Sequence, residues 1–195
     1  GQARELAFQT NKVTRPSLSG EADQVTTVLK KVNVNQEFFS KQSAEMAYVL
    51  GVVCTDGCIV RMHPGNTQRS KMIGSCRLTL GQKEPELLQK VLRIMDCDAT
   101  VRHREKKGIS GELYSFEITN KKIIDDLLKL GVVPRKSRIL KFPEVAEEHM
   151  RHFIRGCWDG DGSVSKDGHR ASFVSGSYYF IRSIVTALRK AEVLY

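Results

Sequence analysis

The sequence predicts an α+β fold made of two pseudo-symmetric halves that pack through a pair of helices. Three observations support this: a segment that occurs twice, a regular alternation of helix and strand patterns, and basic residues that gather on the predicted strands. The repeated segment carries most weight, because an internal repeat determines the architecture of a chain. Its two copies are residues 47–57 (AYVLGVVCTDG) and 152–162 (HFIRGCWDGDG).

The two copies place small and acidic residues at the same positions. When they are aligned with an offset of 105 positions, Gly51 falls on Gly156 and Asp56 falls on Asp161. Paired glycines allow two helix backbones to approach closely, and each helix then delivers one carboxylate to a shared point. A carboxylate at a helix C-terminus is disfavoured by the helix dipole by about 0.3–1 kcal/mol. Its occurrence twice therefore suggests a compensating cation.

Each element follows from its own pattern of apolar residues. Ser43 is a favourable N-cap for a helix over 43–55, and Gly57 marks the end of that helix. Further elements are then predicted as strands 58–63 and 72–80, helix 84–95, strands 100–104 and 112–119, and a helix from Thr119 or Asn120 through 130. After the second copy we expect strands 163–166 and 170–175 and a helix over 178–193.

The repeat also predicts how the chain is divided. Each half would have the order αββαββα, and by this logic the second half lacks two strands and a helix. The expected parts are an N-terminal extension (1–42), a first half-domain (43–133), a linker (134–147) and an incomplete second half-domain (148–195).

The net charge of this 195-residue chain is +9, which favours a polyanionic partner. Its basic residues form the acid-free clusters 59–83 and 135–141, and a third at 102–107 that contains one acid, which favours a continuous basic face. No apolar stretch is long enough to span a membrane, and no signal segment opens the chain. We therefore expect an intracellular protein, in the cytoplasm or an organelle matrix, that is not secreted. Its five cysteines lack C-x-x-C spacing, which favours free thiols over a zinc site.

Two simpler interpretations of the repeated motif deserve comparison. An Asp-Gly pair at the end of a helix is often only a turn, but its occurrence in both copies argues against that. The segment from Asp159 also resembles the start of a calcium-binding loop. It fails at position six, where Val164 replaces glycine, and at position twelve, where Arg170 replaces glutamate.

On these residues the chain resembles the LAGLIDADG homing endonucleases, in the form that carries two motifs in one chain. The resemblance rests on residues 49–57 (VLGVVCTDG) and 154–162 (IRGCWDGDG), and it extends over about 43–195. One departure is that Cys54 stands where the second copy keeps the inner acid as Asp159. The family's cleavage chemistry depends on the outer acid, which both copies retain.

The resemblance implies a metal-dependent phosphodiesterase site where the two motif helices end. Mg²⁺, or another divalent cation, takes oxygen ligands from one or two carboxylates and from phosphate and water. The family also carries a basic or amide group near each metal. The implied site residues are Asp56, Asp161, Gln82 and Lys121 as catalytic groups, with Asp56, Asp161 and the backbones of Gly57 and Gly160 as metal ligands.

The resemblance further implies that the two antiparallel sheets form a DNA-binding saddle. Outward side chains of a twisted sheet can read base edges in the major groove, whereas linker residues would contact phosphates and position the duplex. The candidates for base contacts are Arg61, His63, Ser75, Arg77, Thr79, Arg102, Arg104 and Glu117 in the first copy, and Lys166, His169 and Arg170 in the second. The candidates for phosphate contacts are Arg135, Lys136 and Arg138.

We therefore expect a monomeric endonuclease that cuts double-stranded DNA at a long specific site and is encoded by an intron or an intein. One alternative is a non-cleaving relative, either an RNA-splicing maturase or a DNA-binding regulator. The retention of both outer acids argues against it. The other alternative is the endonuclease segment of an intein. It fits only as an excised segment, because the chain has no His-Asn splicing terminus and does not begin with Cys or Ser.

Overall fold

The first half has the order of elements that the sequence predicts. The structure is a computed structural model that describes residues 32–61, 76–83, 85–105 and 112–192, with backbone only at Arg61, Cys76, Arg104, Glu105 and Glu112. The elements of the first half are α1 (Ala44–Asp56), β1 (Gly57–Arg61), β2 (Cys76–Gln82), α2 (Pro85–Ile94), β3 (Arg102–Glu105), β4 (Glu112–Ile118) and α3 (Lys121–Lys129).

Side-chain caps fix where two of these helices begin. The Ser43 hydroxyl accepts a hydrogen bond from the Met46 amide at 3.0 Å, and Asn120 does the same for the Ile123 amide at 3.2 Å. Helix α1 differs from the amphipathic helix that its pattern suggests, because every residue from Met46 to Cys54 is buried. It lies at the centre of the protein, in contact with the sheet on one side and with the second motif helix on the other.

The four strands of the first half form one antiparallel sheet in the order β1-β2-β4-β3. The alternation in β2 divides its side chains as predicted: Leu78 and Leu80 are buried in the core, while Arg77 and Thr79 lie on the opposite face. Helices α2 and α3 cover the core face with buried side chains, which include Leu88, Val91, Leu92, Ile123, Ile124 and Leu127.

The second half is smaller and its strands are shorter than predicted. Its elements are α4 (Met150–Asp161), β5 (Gly162–Val164), β6 (Ala171–Phe173) and α5 (Tyr178–Lys190). β5 and β6 form a two-stranded antiparallel sheet, and such an isolated pair has few neighbours to extend its pairing. Ser177 caps α5 by accepting a hydrogen bond from the Phe180 amide at 3.3 Å.

Helices α1 and α4 cross at the two glycines of the repeat. A Cβ atom on Gly51 would lie 2.3 Å from the Phe153 carbonyl oxygen, and one on Gly156 would lie 2.0 Å from the Tyr48 carbonyl oxygen. Neither position can hold a larger residue without separating the helices. The crossing therefore fixes where the two helices end relative to each other.

Residues 33–42, at the end of the predicted extension, pack onto the first half. Asn33 is tied to Asp98 through its backbone amide at 2.8 Å and its side-chain amide at 3.0 Å. Phe38 and Phe39 are buried in the core. In the described ranges there is no helix whose length and apolar character would let it cross a membrane. Parts of the predicted strands 58–63 and 72–80, and most of the extension, lie outside the described residues.

Candidate active site

Asp56 and Asp161 lie where the two crossing helices end, as the repeat predicts. Asp56 is the last residue of α1 and Asp161 is the last residue of α4. A Cβ atom on Gly160 would lie only 2.4 Å from the Asp56 carboxylate oxygen Oδ2 and 2.0 Å from the Thr55 hydroxyl. The end of α1 therefore packs directly against Gly160, the residue before Asp161.

The Asp56 carboxylate is held by hydrogen bonds from its own half. The Gln82 side-chain amide donates to Asp56 Oδ2 at 2.7 Å, and the Thr55 hydroxyl lies 3.3 Å from the same oxygen. Burial, and then the negative charge of Asp161, raise the pKa of Asp56 to about 6. The hydrogen bonds from Thr55 and Gln82 and the charge of Lys136 oppose this shift. Asp56 is therefore a carboxylate whose charge is poorly compensated by the protein.

Asp161 has a more open environment. The residue is exposed, but partial burial of its carboxylate still raises its pKa, and the charge of Lys136 opposes the rise. The two acids are thus equivalent in the repeat and unequal in their surroundings. Asp56 is half-buried and held by Gln82, whereas Asp161 faces solvent.

Lys136 belongs to this site, which differs from the prediction that it contacts DNA phosphates from an exposed linker. Its side chain is only 6% exposed, and its ammonium donates to the Thr55 carbonyl oxygen at 3.1 Å. Burial lowers its pKa, while Asp56 and Asp161 favour its charged form. A buried lysine needs acceptors and opposite charges around it, and here the ends of α1 and α4 supply them.

Lys121 lies elsewhere, contrary to the prediction that it stands near the metal ligands. β2 and β4 are antiparallel, so the end of β4 at Ile118 pairs with Leu78, while Gln82 at the end of β2 pairs with Tyr114. Lys121 follows the far end of the sheet. Its side chain is 89% exposed and pairs with Asp125 in the next turn of α3.

The predicted DNA contacts fall into three groups. Arg77 and Thr79 lie on the outward face of the sheet, where the Arg77 guanidinium pairs with Glu117 at 2.9 Å. Among the described residues, neither the buried Arg77 Nε nor the buried Thr79 hydroxyl has a hydrogen-bond partner. A second group has exposed side chains: Arg102, Arg135, Arg138, Lys166, His169 and Arg170. The third group falls outside the described side chains: Arg61, His63, Ser75 and Arg104.

The inner acid of the second motif has a structural contact that the sequence does not indicate. Asp159 accepts a hydrogen bond from the Tyr48 hydroxyl at 2.6 Å and one from the Lys90 ammonium at 3.3 Å. The Lys90 ammonium also lies 4.3 Å from the centre of the Tyr48 ring. Asp159 therefore ties α4 to both α1 and α2. In the first motif the equivalent residue, Cys54, is buried instead.

The residues at the ends of the helices fit a divalent cation of the Mg²⁺ type. Hard cations of this type need only one or two carboxylates, since phosphate and water complete their shell. Asp56 and Asp161 supply two such carboxylates, with the backbones of Gly57 and Gly160 adjacent in the chain. Within the described part of the chain no set of three or more His, Cys, Asp or Glu side chains is gathered for metal binding.

Comparisons with known proteins agree with this architecture. Residues 148–194 match the family model of the LAGLIDADG-like domain, whereas no curated protein matches the sequence. A variant of I-DmoI in complex with its target DNA is 14% identical, with a TM-score of 0.50 over 81% of this chain and 79% of that chain. I-DmoI with DNA and Mn is 15% identical, with a TM-score of 0.48 over 80% of this chain and 78% of that chain. The homing endonuclease I-WcaI bound to its DNA recognition sequence is 10% identical, with a TM-score of 0.47 over 80% and 72%.

The family model covers the second motif, and the structural similarity covers both halves. The α+β fold predicted from the repeat is therefore correct. The resemblance to the LAGLIDADG homing endonuclease family is confirmed as well: residues 148–194 match the model of the LAGLIDADG-like domain, and the chain has a fold similar to that of the I-DmoI variant.

Proposed function

We propose that this chain is a site-specific endonuclease that hydrolyses both strands of a DNA duplex with the help of a divalent metal ion. The observation that carries the proposal is the convergence of Asp56, Asp161 and Lys136 at the ends of two crossing helices. The charge of half-buried Asp56, next to a second acid, and the charge of buried Lys136 are both unfavourable for stability, so a purely structural role does not account for them. The similar structure of the I-DmoI variant is a complex with its target DNA in the presence of Mn.

Each protein residue would have its own role in such a site. Asp56 and Asp161 would hold the divalent ion. Gln82 keeps the Asp56 carboxylate in one orientation through its 2.7 Å hydrogen bond. Lys136 is anchored on the Thr55 carbonyl, so its positive charge stays close to both acids and to any phosphate that enters between them. When bound, the ion supplies a water of lowered pKa and stabilises negative charge on the phosphate.

The basic surface supports DNA as the substrate. Exposed arginines and lysines occur on the sheet face, in the linker and on the β5–β6 hairpin, where Lys166, His169 and Arg170 are all exposed. Contacts of this kind bind the phosphate backbone of a duplex. The same proposal includes two half-domains, residues 43–133 and 148–195, which the linker 134–147 joins. One chain would bind the duplex as a monomer.

The test is cleavage of a randomised duplex library in Mg²⁺ or Mn²⁺, followed by sequencing of the cut ends. The wild-type protein should give one long target site. Asp56→Asn and Asp161→Asn should each abolish double-strand cleavage and leave duplex binding largely intact, because most of the affinity comes from phosphate contacts. Wild-type rates in both variants would show that these acids are not catalytic.

A matched pair of lysine variants tests which of the two lysines, Lys136 or Lys121, belongs to the proposed site. Lys136→Met should slow cleavage strongly, because it removes the buried positive charge beside both acids. Lys121→Ala should cut as the wild type does, since Lys121 lies at the far end of the sheet. A protein that binds a specific duplex but does not cut it with any divalent metal would instead be a maturase or a DNA-binding regulator.

A further inference from the structure

An exposed group of apolar side chains lies outside the candidate active site. Six large hydrophobic side chains are exposed in the described part of the chain, and four of them lie in two short segments. These four are Ile139 (62% exposed), Val174 (71%), Tyr178 (70%) and Tyr179 (68%), and we call them the tyrosine patch. Exposed clusters of large apolar side chains usually mark binding sites.

The two segments that carry the patch are in direct contact. The Ser177 hydroxyl donates to the Leu140 carbonyl oxygen at 2.7 Å. A Cβ atom on Gly176 would lie 2.7 Å from the Ser137 carbonyl oxygen, so glycine is required for this close approach. The first half of the linker and the start of α5 are therefore in direct contact.

Tyr178 and Tyr179 lie at the well-packed start of α5. Ser177 is fully buried and caps α5 immediately before Tyr178, and Phe180 and Leu140 are buried beneath it. The Tyr178 and Tyr179 rings pack edge to face, with their centres 5.8 Å apart. Both side chains are largely exposed to solvent although they belong to the first turn of α5.

The charged residues of the two segments that carry the patch are all positive. Neither segment 135–141 nor segment 174–182 contains an acid. Arg138 and Lys141 are exposed beside the Ser177–Leu140 contact. Arg182 is exposed as well, and it follows Tyr178 by four residues, which places it on the same face of α5.

The internal repeat indicates that the fold does not require an aromatic residue here. Helix α5 corresponds to α2, since each follows the second strand of its half. If buried Phe180 and Ile184 are aligned with buried Leu88 and Leu92, then Tyr178 falls on Glu86, which is exposed. One copy therefore has a charged, solvated residue where the other has an exposed ring.

We propose that the tyrosine patch binds an unpaired nucleic-acid strand. Bases of an unpaired strand would stack on Tyr178 and Tyr179, and its phosphates would contact Arg138, Lys141 and Arg182. Stacking of a base on an aromatic side chain contributes about 1–3 kcal/mol and requires that the base be free of its own duplex. Exposed aromatic rings within an acid-free basic rim fit this ligand better than they fit the uniformly charged backbone of a duplex.

The test uses the full chain and fluorescence anisotropy in EDTA, so that no cleavage occurs. The probes are oligo(U), oligo(dT) and a duplex, each of about 12 nucleotides per strand, a length within reach of one such surface. The Tyr178→Ser/Tyr179→Ser variant removes both rings, and the matched Tyr178→Phe/Tyr179→Phe variant keeps them. The two single-stranded probes differ in the 2′-hydroxyl of RNA and in the C5 methyl group of thymine, and adding oligo(dU) separates these two contributions.

The phenylalanine pair should bind each single-stranded probe as tightly as the wild type does. The serine pair should bind them at least about tenfold more weakly, as expected for the loss of one stacked base or more, with its duplex affinity unchanged. Equal binding by the serine pair, or no single-strand binding by the wild type, overturns the proposal. An equal loss of duplex affinity would make the patch part of the duplex surface and overturn it too.

Two further measurements distinguish the remaining explanations. If the wild type forms a dimer in sedimentation that the serine pair does not form, the patch is a contact between copies and the proposal is wrong. Because both rings are exposed, thermal unfolding of the serine pair should match that of the wild type. The Asp56→Asn/Asp161→Asn variant should still bind single strands. Failure of the proposed cleavage would therefore leave this inference standing.

Discussion

Replacement of Asp56 by asparagine should make the protein more stable while it removes the proposed activity. Burial and the neighbouring Asp161 charge raise the pKa of Asp56 from 3.8 to about 6, so the charged carboxylate is less favourable in the folded protein than in the unfolded chain. Asparagine has nearly the same shape and can still accept the hydrogen bond from Gln82. It carries no charge, so it avoids both sources of the unfavourable energy.

The size of the effect follows from the two pKa values. Their difference corresponds to about 3 kcal/mol of unfolding free energy when the carboxylate is fully charged. The side chain is partly exposed, and solvent screens part of this energy, so the expected gain for Asp56→Asn is about 1–3 kcal/mol at neutral pH and above. Active-site residues that oppose stability in this way are common.

The stability difference between the wild type and Asp56→Asn should depend on pH. Because the folded pKa lies above the unfolded one, the stability linked to protonated Asp56 is fully present below about pH 4. It is lost as the pH rises through about 6. The wild type and Asp56→Asn should therefore be equally stable at the acid end and diverge between about pH 4 and pH 7. Urea unfolding of both proteins across this range measures the difference directly, and the titrations of groups that do not interact with Asp56 cancel.

Two controls test the interpretation. Asp125→Asn changes an exposed carboxylate on α3 and should alter stability by no more than about 0.5 kcal/mol. Addition of Mn²⁺ should stabilise the wild type, by about 2.7 kcal/mol at a hundredfold excess over the dissociation constant, and should have little effect on Asp56→Asn. If Asp56→Asn is the less stable protein at neutral pH, or if its gain does not depend on pH, the account of the site is wrong.

The remaining predictions concern the helix crossing and the DNA surface. Gly156→Ala should cost more than about 3 kcal/mol in thermal unfolding, because its Cβ would overlap the Tyr48 carbonyl, whereas Gly81→Ala, with 3.5 Å to its nearest neighbour, should be nearly neutral. Arg77→Ala should relax base preference at one position of the selected site, since a guanine contact contributes about 1–3 kcal/mol, and Lys136→Ala should leave the preference unchanged and slow cleavage. Duplex binding should weaken with a log–log salt slope near about −9 if roughly ten phosphates are contacted; a slope shallower than about −3 would exclude the basic clusters from the interface.

Local sequence patterns were sufficient to predict most of the helices and strands of the fold. The alternation in β2 predicts which residues face the core, because side chains of a strand alternate strictly between two faces. A cap at Thr119 or Asn120 predicts where α3 begins, because a capping interaction spans only three residues, and the structure shows that Asn120 is the cap. The repeated glycines predict the crossing of α1 and α4, because a close approach of two helix backbones requires a residue without a side chain at each contact position.

Two features of the candidate site depend on contacts between distant residues, and local patterns do not contain them. The burial of Lys136 requires the Thr55 carbonyl, which is 81 residues away in the chain. The position of Lys121 depends on the direction of β4 relative to β2, and the positions of the strands in the sequence do not reveal which of their ends coincide. The sequence offered one usable signal for Gln82, its place directly after the second strand, and the structure brings it to Asp56.

The contact between Thr55 and Gly160 bears on how such a chain can arise. The two residues are equivalent in the repeat, and they meet at its pseudo-two-fold axis, where the Thr55 hydroxyl occupies the space that a side chain on Gly160 would need. In a symmetric dimer each residue at the axis faces its own copy, so threonine would clash with threonine, or glycine would leave a gap beside glycine. Covalent linkage of the two copies removes this constraint and lets one contribute the protrusion and the other the recess. Once these residues have diverged, the halves are complementary to each other and no longer to themselves.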